Sequence, residues 1–240
     1  MAAQWIKPST RPDPIEDLVS GVDRYNPSNV SILEDYLYHQ IRSEEYDLLA
    51  NLAILKLYQF NPDLHNPDVV INILLKALAA SPLPDFNLCI SILDERTTPS
   101  SLDEPDPLPT TLPLLKVLQN LLYRCRFPAF WQTYNSEEFE TLRDNYTVEV
   151  AGFENSIRQV AIRAVKATFT HITSQRLGSY LNLEGDALTA YVKQLAWAVD
   201  SATGNIVVPP NPDNQIEATV VQEQIKLPQL TKVISHAVKA

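Results

Sequence analysis

Residues 46–62 read YDLLANLAILKLYQFNP, and this stretch decides the fold class. Leu48, Leu52, Leu55 and Gln59 fall on one line of a helix, with Leu49, Ala53 and Lys56 beside it. The spacing predicts a helix with a broad apolar face, stopped near Asn61-Pro62. Upstream, Asn26-Pro27 offers a side-chain cap followed by proline at a first helical position, where its missing N–H costs nothing. Val30, Leu33, Leu37 and Ile41 then make a narrow apolar stripe. Downstream, Asn66-Pro67 repeats the signal ahead of Val70, Ile73, Leu74 and Ala77. Helix pairs recurring every roughly 30–40 residues predict an α-solenoid of the HEAT or TPR type, structural rather than sequence-exact.

The stretch 96–111, RTTPSSLDEPDPLPTT, holds four prolines and no periodic apolar positions, so it is expected to be a surface loop. The two cysteines fall on predicted apolar faces, Phe86–Cys89–Ile90–Leu93 and Leu115–Leu118–Leu122–Cys125. Both are expected to be buried free thiols, too few for a disulfide framework and wrongly spaced for a metal.

After about residue 148 the pattern changes. Phe153, Ile157, Val160, Ala161, Ala164, Val165, Thr168, Phe169 and Ile172 predict one long helix. Shorter helices are expected at about 175–182 and 185–197, then a strand at 206–208, a stiff PPNPDN loop and an alternating strand at 216–222. That order is a winged-helix module with a small antiparallel sheet. Leu230, Val233, Ile234 and Ala237 line a last helix from about Pro228 to Val238. The expected organisation is mainly α: an N-terminal arm (1–16), a helical-repeat domain (17–147) and a winged-helix domain with its closing helix (148–240).

Chemistry is looked for in the composition and the motifs. Five glycines, at 21, 152, 178, 185 and 204, cannot build a dinucleotide fingerprint or a P-loop. Histidines 39, 65, 171 and 236 never share a helical turn. The acidic groups Glu44-Glu45, Asp94-Glu95 and Glu137-Glu138-Glu140 read as solvated helix starts, Asn135 with Glu138 resembling a capping box. No enzyme and no cofactor is expected. The first eighteen residues carry no apolar core of a secretory signal, and no run reaches the ~18 apolar residues of a membrane span, so a cytoplasmic chain is expected.

The net charge of −10 resides in residues 1–147, with 11 basic and 21 acidic side chains; residues 148–240 carry eight of each. A winged helix raises nucleic-acid binding, but the third helix offers only Lys193, behind Glu184 and Asp186. Arg158, Arg163, Lys166 and Arg176 add a loose basic strip, well short of the ~6–10 phosphate contacts of a useful duplex binder. These five residues are candidates for weak RNA contact only. Candidate partner-binding residues are Ile206, Val207, Val208 and Val220, on strands expected to leave an open edge, and Leu230, Val233, Ile234 and Ala237 on the closing helix. At about eleven residues that helix is too short to persist alone.

Six segments carry a resemblance: DRYNPSNVSILEDYL (23–37), residues 46–62, ILLKALAASPLPDFNLCISIL (73–93), CRFPAFWQ (125–132), GFENSIRQVAI (152–162) and LAWAVDSATGNI (195–206). Spread over nearly the whole chain, they resemble the k subunits of eukaryotic translation initiation factor 3, in the PCI-domain group of proteasome-lid, signalosome and initiation-factor subunits. The resemblance implies a non-catalytic scaffold subunit that pairs with the l subunit, joins the e subunit and reaches the small ribosomal subunit through the complex. The arm before Asp17 and the segment 96–111 depart from the family pattern. A stand-alone winged-helix RNA- or DNA-binding protein is the competing expectation.

Overall fold

The computed structural model describes residues 7–93 and 106–215, together with Leu227, Leu230, Thr231, Ile234 and Ser235. The helical half comprises α1 (Asp13–Ser20), α2 (Val30–Arg42), α3 (Leu48–Phe60), α4 (Pro67–Ala79), α5 (Asp85–Leu93), α6 (Leu108–Tyr123), α7 (Phe127–Tyr134) and the short α8 (Glu140–Leu142). The second half comprises α9 (Phe153–Thr168), β1 (His171–Ile172), α10 (Ser174–Leu181), α11 (Gly185–Gln194), β2 (Ala198–Val199) and β3 (Ile206–Val207). It is a helical-repeat body followed by a winged helix, as the periodicity predicts.

The proline-linked caps form. Asn66 accepts from the amides of Asp68 and Val69 and starts α4. Asn26 caps a single 3₁₀ turn, Pro27–Asn29, from which α2 continues at Val30. Val30, Leu33, Leu37 and Ile41 are all buried. Of the expected line in α3, only Leu55 is fully buried. Ala50, Ile54, Leu55 and Leu57 are fully buried, whereas Leu48, Leu49 and Leu52 are only partly so. The cause is position: α3 packs against α1, α2, α4 and α5, so it is covered from more than one side.

Polar side chains lock the α2–α3 corner. Asp47 caps α3 through the Ala50 amide and accepts two further bonds from Arg11, at 2.6 and 2.7 Å, and one from the Tyr36 hydroxyl. The Gln40 side chain spans to the Asp47 amide (2.8 Å) and to Asn51 (3.0 Å). The Lys76 ammonium donates to the Gln40 carbonyl at 2.9 Å. The segment just before α1 is thus pinned to the body through Arg11.

Several sequence expectations need correction. Helix α6 starts at Leu108, so residues 108–111 are helical and Leu108 and Thr111 are buried. Pro109 is tolerated there because a first-turn N–H has no helical partner to lose. Residues 94–105, the rest of the expected loop, lie outside the described residues. Cys89 is buried, but Cys125 is exposed. Helix α6 ends at Tyr123, Cys125 takes a left-handed φ of 53°, and the Arg126 amide returns to the Leu121 carbonyl at 2.8 Å. This Schellman-type turn carries Cys125 off the apolar face. The capping box at Asn135 does not form; Ser136 precedes the single 3₁₀ turn Glu137–Phe139 without a side-chain cap.

Helix α9 stops at Thr168, four residues before Ile172, which lies in β1. The sheet order is β1–β3–β2, antiparallel throughout. The hairpin partner of the 206–207 strand is therefore 198–199 rather than 216–222, a segment outside the described residues. Two-residue strands leave no alternation for sequence to reveal.

The halves share a core. Trp131 on α7 donates its indole N–H to the Tyr180 carbonyl at 2.8 Å, and Phe127 packs against the Tyr180 ring. Tyr134 meets Phe153, and the Ala151 amide bonds the Ile41 carbonyl at 2.9 Å. Buried apolar side chains from Ile15 to Val208 form one cluster.

Candidate interaction surfaces

The basic strip does not assemble as a nucleic-acid face. Arg158 lies over the Trp131 ring at 5.4 Å and donates to the Leu181 carbonyl and to Glu154. Arg163 donates to the Ser81 carbonyl at 2.7 Å, tying α9 to the end of α4, and burial lowers its pKa. Both guanidinium groups tie the winged-helix half to the helical half, Arg158 at Trp131 and Arg163 at Ser81. Lys166, Arg176 and Lys193 are exposed, one each on α9, α10 and α11. Glu184 and Asp186 are exposed at the start of α11.

The wing residues also divide. β3 is the central strand, with Ile206 and Val208 buried in the domain's own core and Val207 half-buried. The expected open edge is therefore not at Ile206–Val208; among the described residues both flanks of β3 are occupied. The edge strands are β1, with His171 exposed and Ile172 buried, and β2, where Ala198 and Val199 are both exposed. Asp200 shapes the β2–β3 turn, accepting from Thr203 Oγ1 and the Ala202 amide, and these bonds lower its pKa.

Val220, Val233 and Ala237 lie outside the described residues. Leu227, Leu230, Thr231, Ile234 and Ser235 are helical, with Thr231 Oγ1 bonded to the Leu227 carbonyl at 2.9 Å. Leu227 is 80% exposed, Leu230 44% and Ile234 54%. Spaced at i, i+3 and i+7, they share one side of a helix. Leu227 extends the face expected from sequence by one member, one residue upstream of Pro228, where the helix is expected to start. A row of exposed aliphatic side chains is a surface for another apolar face, not for a phosphate backbone.

Ser43, His39 and Glu45 come close together without forming a relay. The Ser43 hydroxyl and the Glu45 carboxylate both approach Nδ1 of His39, at 3.4 and 3.7 Å, and the hydroxyl donates to the His39 carbonyl at 2.7 Å. A base needs one nitrogen toward the nucleophile and the other toward its orienting acid. Among the described residues, no three His, Cys, Asp or Glu side chains are grouped to hold a metal ion, and no helix is long and apolar enough to cross a membrane.

Helices, a three-stranded wing and exposed aliphatic residues agree with the comparison to known proteins. The family model described as CSN8/PSMD8/EIF3K matches residues 64–219. The chain belongs to this family. Among its relatives, eukaryotic translation initiation factor 3 subunit K of Mycosarcoma maydis is 46% identical, the alignment covering 98% of this chain and 95% of the relative. The protein of the same name from Cryptococcus neoformans var. neoformans serotype D (strain JEC21) is 41% identical over the same shares. That from Yarrowia lipolytica is 37% identical, covering 96% of each. Within the CSN8/PSMD8/EIF3K family, the chain thus sits with the initiation-factor subunits, and its PCI-like architecture is the family's.

Proposed function

We propose that this chain is a non-catalytic scaffold subunit of translation initiation factor 3, acting in the cytoplasm in assembly of the initiation complex on the small ribosomal subunit. It works through protein–protein contacts, with the l subunit as its direct pair and the e subunit beyond. The shared name of its relatives supports membership of the complex, and the l and e subunits as neighbours come from the family resemblance alone. The observation that carries the scaffold role is the helical row Leu227, Leu230 and Ile234, which presents large aliphatic side chains to solvent. Burying each is worth roughly 1.5–3 kcal/mol, enough to hold a helix that cannot persist alone.

The test is the double variant Leu230→Asp, Ile234→Asp, expressed in cells with the other factor subunits. The expected result is loss of co-purification with the l and e subunits while the isolated chain keeps its unfolding midpoint, because both side chains are already substantially exposed. Undiminished co-purification, or strong destabilisation of the isolated chain, would show that the row serves another purpose.

A further inference from the structure

A second apolar surface lies on different elements. A groove of about 210 Å³ opens between α1, the 22–25 turn and α3, floored by Val19, Leu49, Leu52 and Ala53. Its volume is below that of the ~300–1,000 Å³ pockets that take whole small molecules, and suits one or two side chains. The rim is aromatic and cationic. Tyr25 and Phe60 meet edge to face at 6.2 Å and are 48% and 63% exposed. Arg24 lies 4.7 Å from the Tyr25 ring centre, and Lys56 lies 5.9 Å from that of Phe60. Among the described residues neither cation is in an ion pair, although they stand in the half of the chain that carries the whole net charge of −10. Among the described residues, none that lines the groove is a carboxylate.

We infer that this groove docks a short amphipathic helical segment of a partner protein, with an aliphatic anchor on the apolar floor and carboxylates beside Arg24 and Lys56. Helix-in-groove recognition needs a trough for anchors at i and i+3 or i+4, and charge at the rim sets partner choice. Exposed aromatics beside cations could also stack nucleotide bases, but two cations fall far short of a backbone-binding stripe, and the aliphatic floor has no use for a sugar-phosphate chain. A second copy of this acidic chain would bring like charge against like.

The test uses the full-length chain and fluorescence anisotropy with three labelled probes. One is a helix-forming peptide with leucines at i, i+4 and i+7 and flanking glutamates; the second has lysines in place of the glutamates; the third is an oligouridylate. The glutamate peptide is expected to bind at least tenfold more tightly than the lysine peptide. Arg24→Glu with Lys56→Glu should reverse that preference. Tyr25→Ala with Phe60→Ser should weaken the glutamate peptide at least fivefold while the unfolding midpoint stays within a few degrees, since both rings are exposed. Equal affinities, a preference that survives charge reversal, no binding at millimolar peptide or tighter binding of the oligouridylate would each overturn the inference. So would self-association, seen by sedimentation, that the Tyr25→Ala, Phe60→Ser variant abolishes, because the occupant would then be a second copy. None of these readouts depends on the C-terminal helical row.

Discussion

Arg11 and Asp47 form a two-point ion pair with both side chains buried, Nε donating to Oδ2 at 2.6 Å and Nη2 to Oδ1 at 2.7 Å. Because Asp47 also caps α3, removing Arg11 leaves a buried carboxylate with its strongest partner missing. Arg11→Ala is expected to cost about 3–5 kcal/mol, the range for breaking a buried pair by deleting one member. Arg11→Lys should recover less than half of that, since an ammonium cannot reproduce the planar fork. Denaturant unfolding of the three proteins measures both; a loss under about 1 kcal/mol for Arg11→Ala would mean that water replaces the guanidinium.

Gly152 precedes α9 at φ +65°, and a Cβ added there would lie 2.5 Å from the Glu44 carboxyl group. Two costs are superimposed: left-handed backbone, about 1–2 kcal/mol for a residue with a Cβ, and displacement of Glu44. The Glu44→Ala background separates them. Gly152→Ala should cost more in the natural chain than in Glu44→Ala, and a cost of about 1 kcal/mol should persist there. Equal costs in both backgrounds would show that Glu44 swings aside freely.

The cysteines should behave oppositely. Cys125 is exposed in a left-handed position, so Cys125→Gly relieves strain and is expected to add about 1 kcal/mol, or 2–4 °C in melting temperature. Cys89 is buried, which pushes its thiol pKa up to about 12. A thiol reagent should therefore label one cysteine in the folded chain and the second only on unfolding. Two rapid equivalents would place Cys89 within reach of solvent.

Burial lowers the Lys76 pKa from 10.5 to about 8, against an upward pull from Glu44 and Glu45. Between about pH 8 and 10.5 the unfolded chain holds a proton that the folded chain has released, so the Lys76 contribution to stability rises with pH. Cys89 and, above pH 10, the buried Tyr36 and the half-buried Tyr46 act in the opposite sense, because burial keeps them protonated in the folded state. The informative quantity is thus the difference between the natural chain and Lys76→Met. From pH 7.5 to 10 it should move on the order of 2–3 kcal/mol in favour of the natural chain. A pH-independent difference would mean that Lys76 stays charged.

What could be read from sequence was whatever rests on period and caps. The α2 stripe and the Asn66 cap are local, so Leu33, Leu37 and the start of α4 followed from spacing alone. Helix α3 hid its deepest face because it is enclosed from several sides, and a helix apolar all round has no preferred direction. Strands β1 and β2 are two residues long, below any pattern. The Arg11–Asp47 pair joins positions 36 apart, and nothing at position 11 marks its partner. In the closing helix, Leu230 and Ile234 were legible as members of one periodic stripe. Ile206 and Val208 were misplaced because a β-branched run looks alike at the edge and the centre of a sheet.

Trp131, bonded to the Tyr180 carbonyl, has a bearing on how such a chain can evolve. Its ring belongs to the helical half and its hydrogen-bond partner to the winged helix, while Arg163 returns the connection to Ser81. Neither half could be exchanged for a foreign module without baring apolar surface on the one left behind. A replacement for either half must therefore bring side chains that match the shared surface, among them the Trp131–Tyr180 and Arg163–Ser81 contacts.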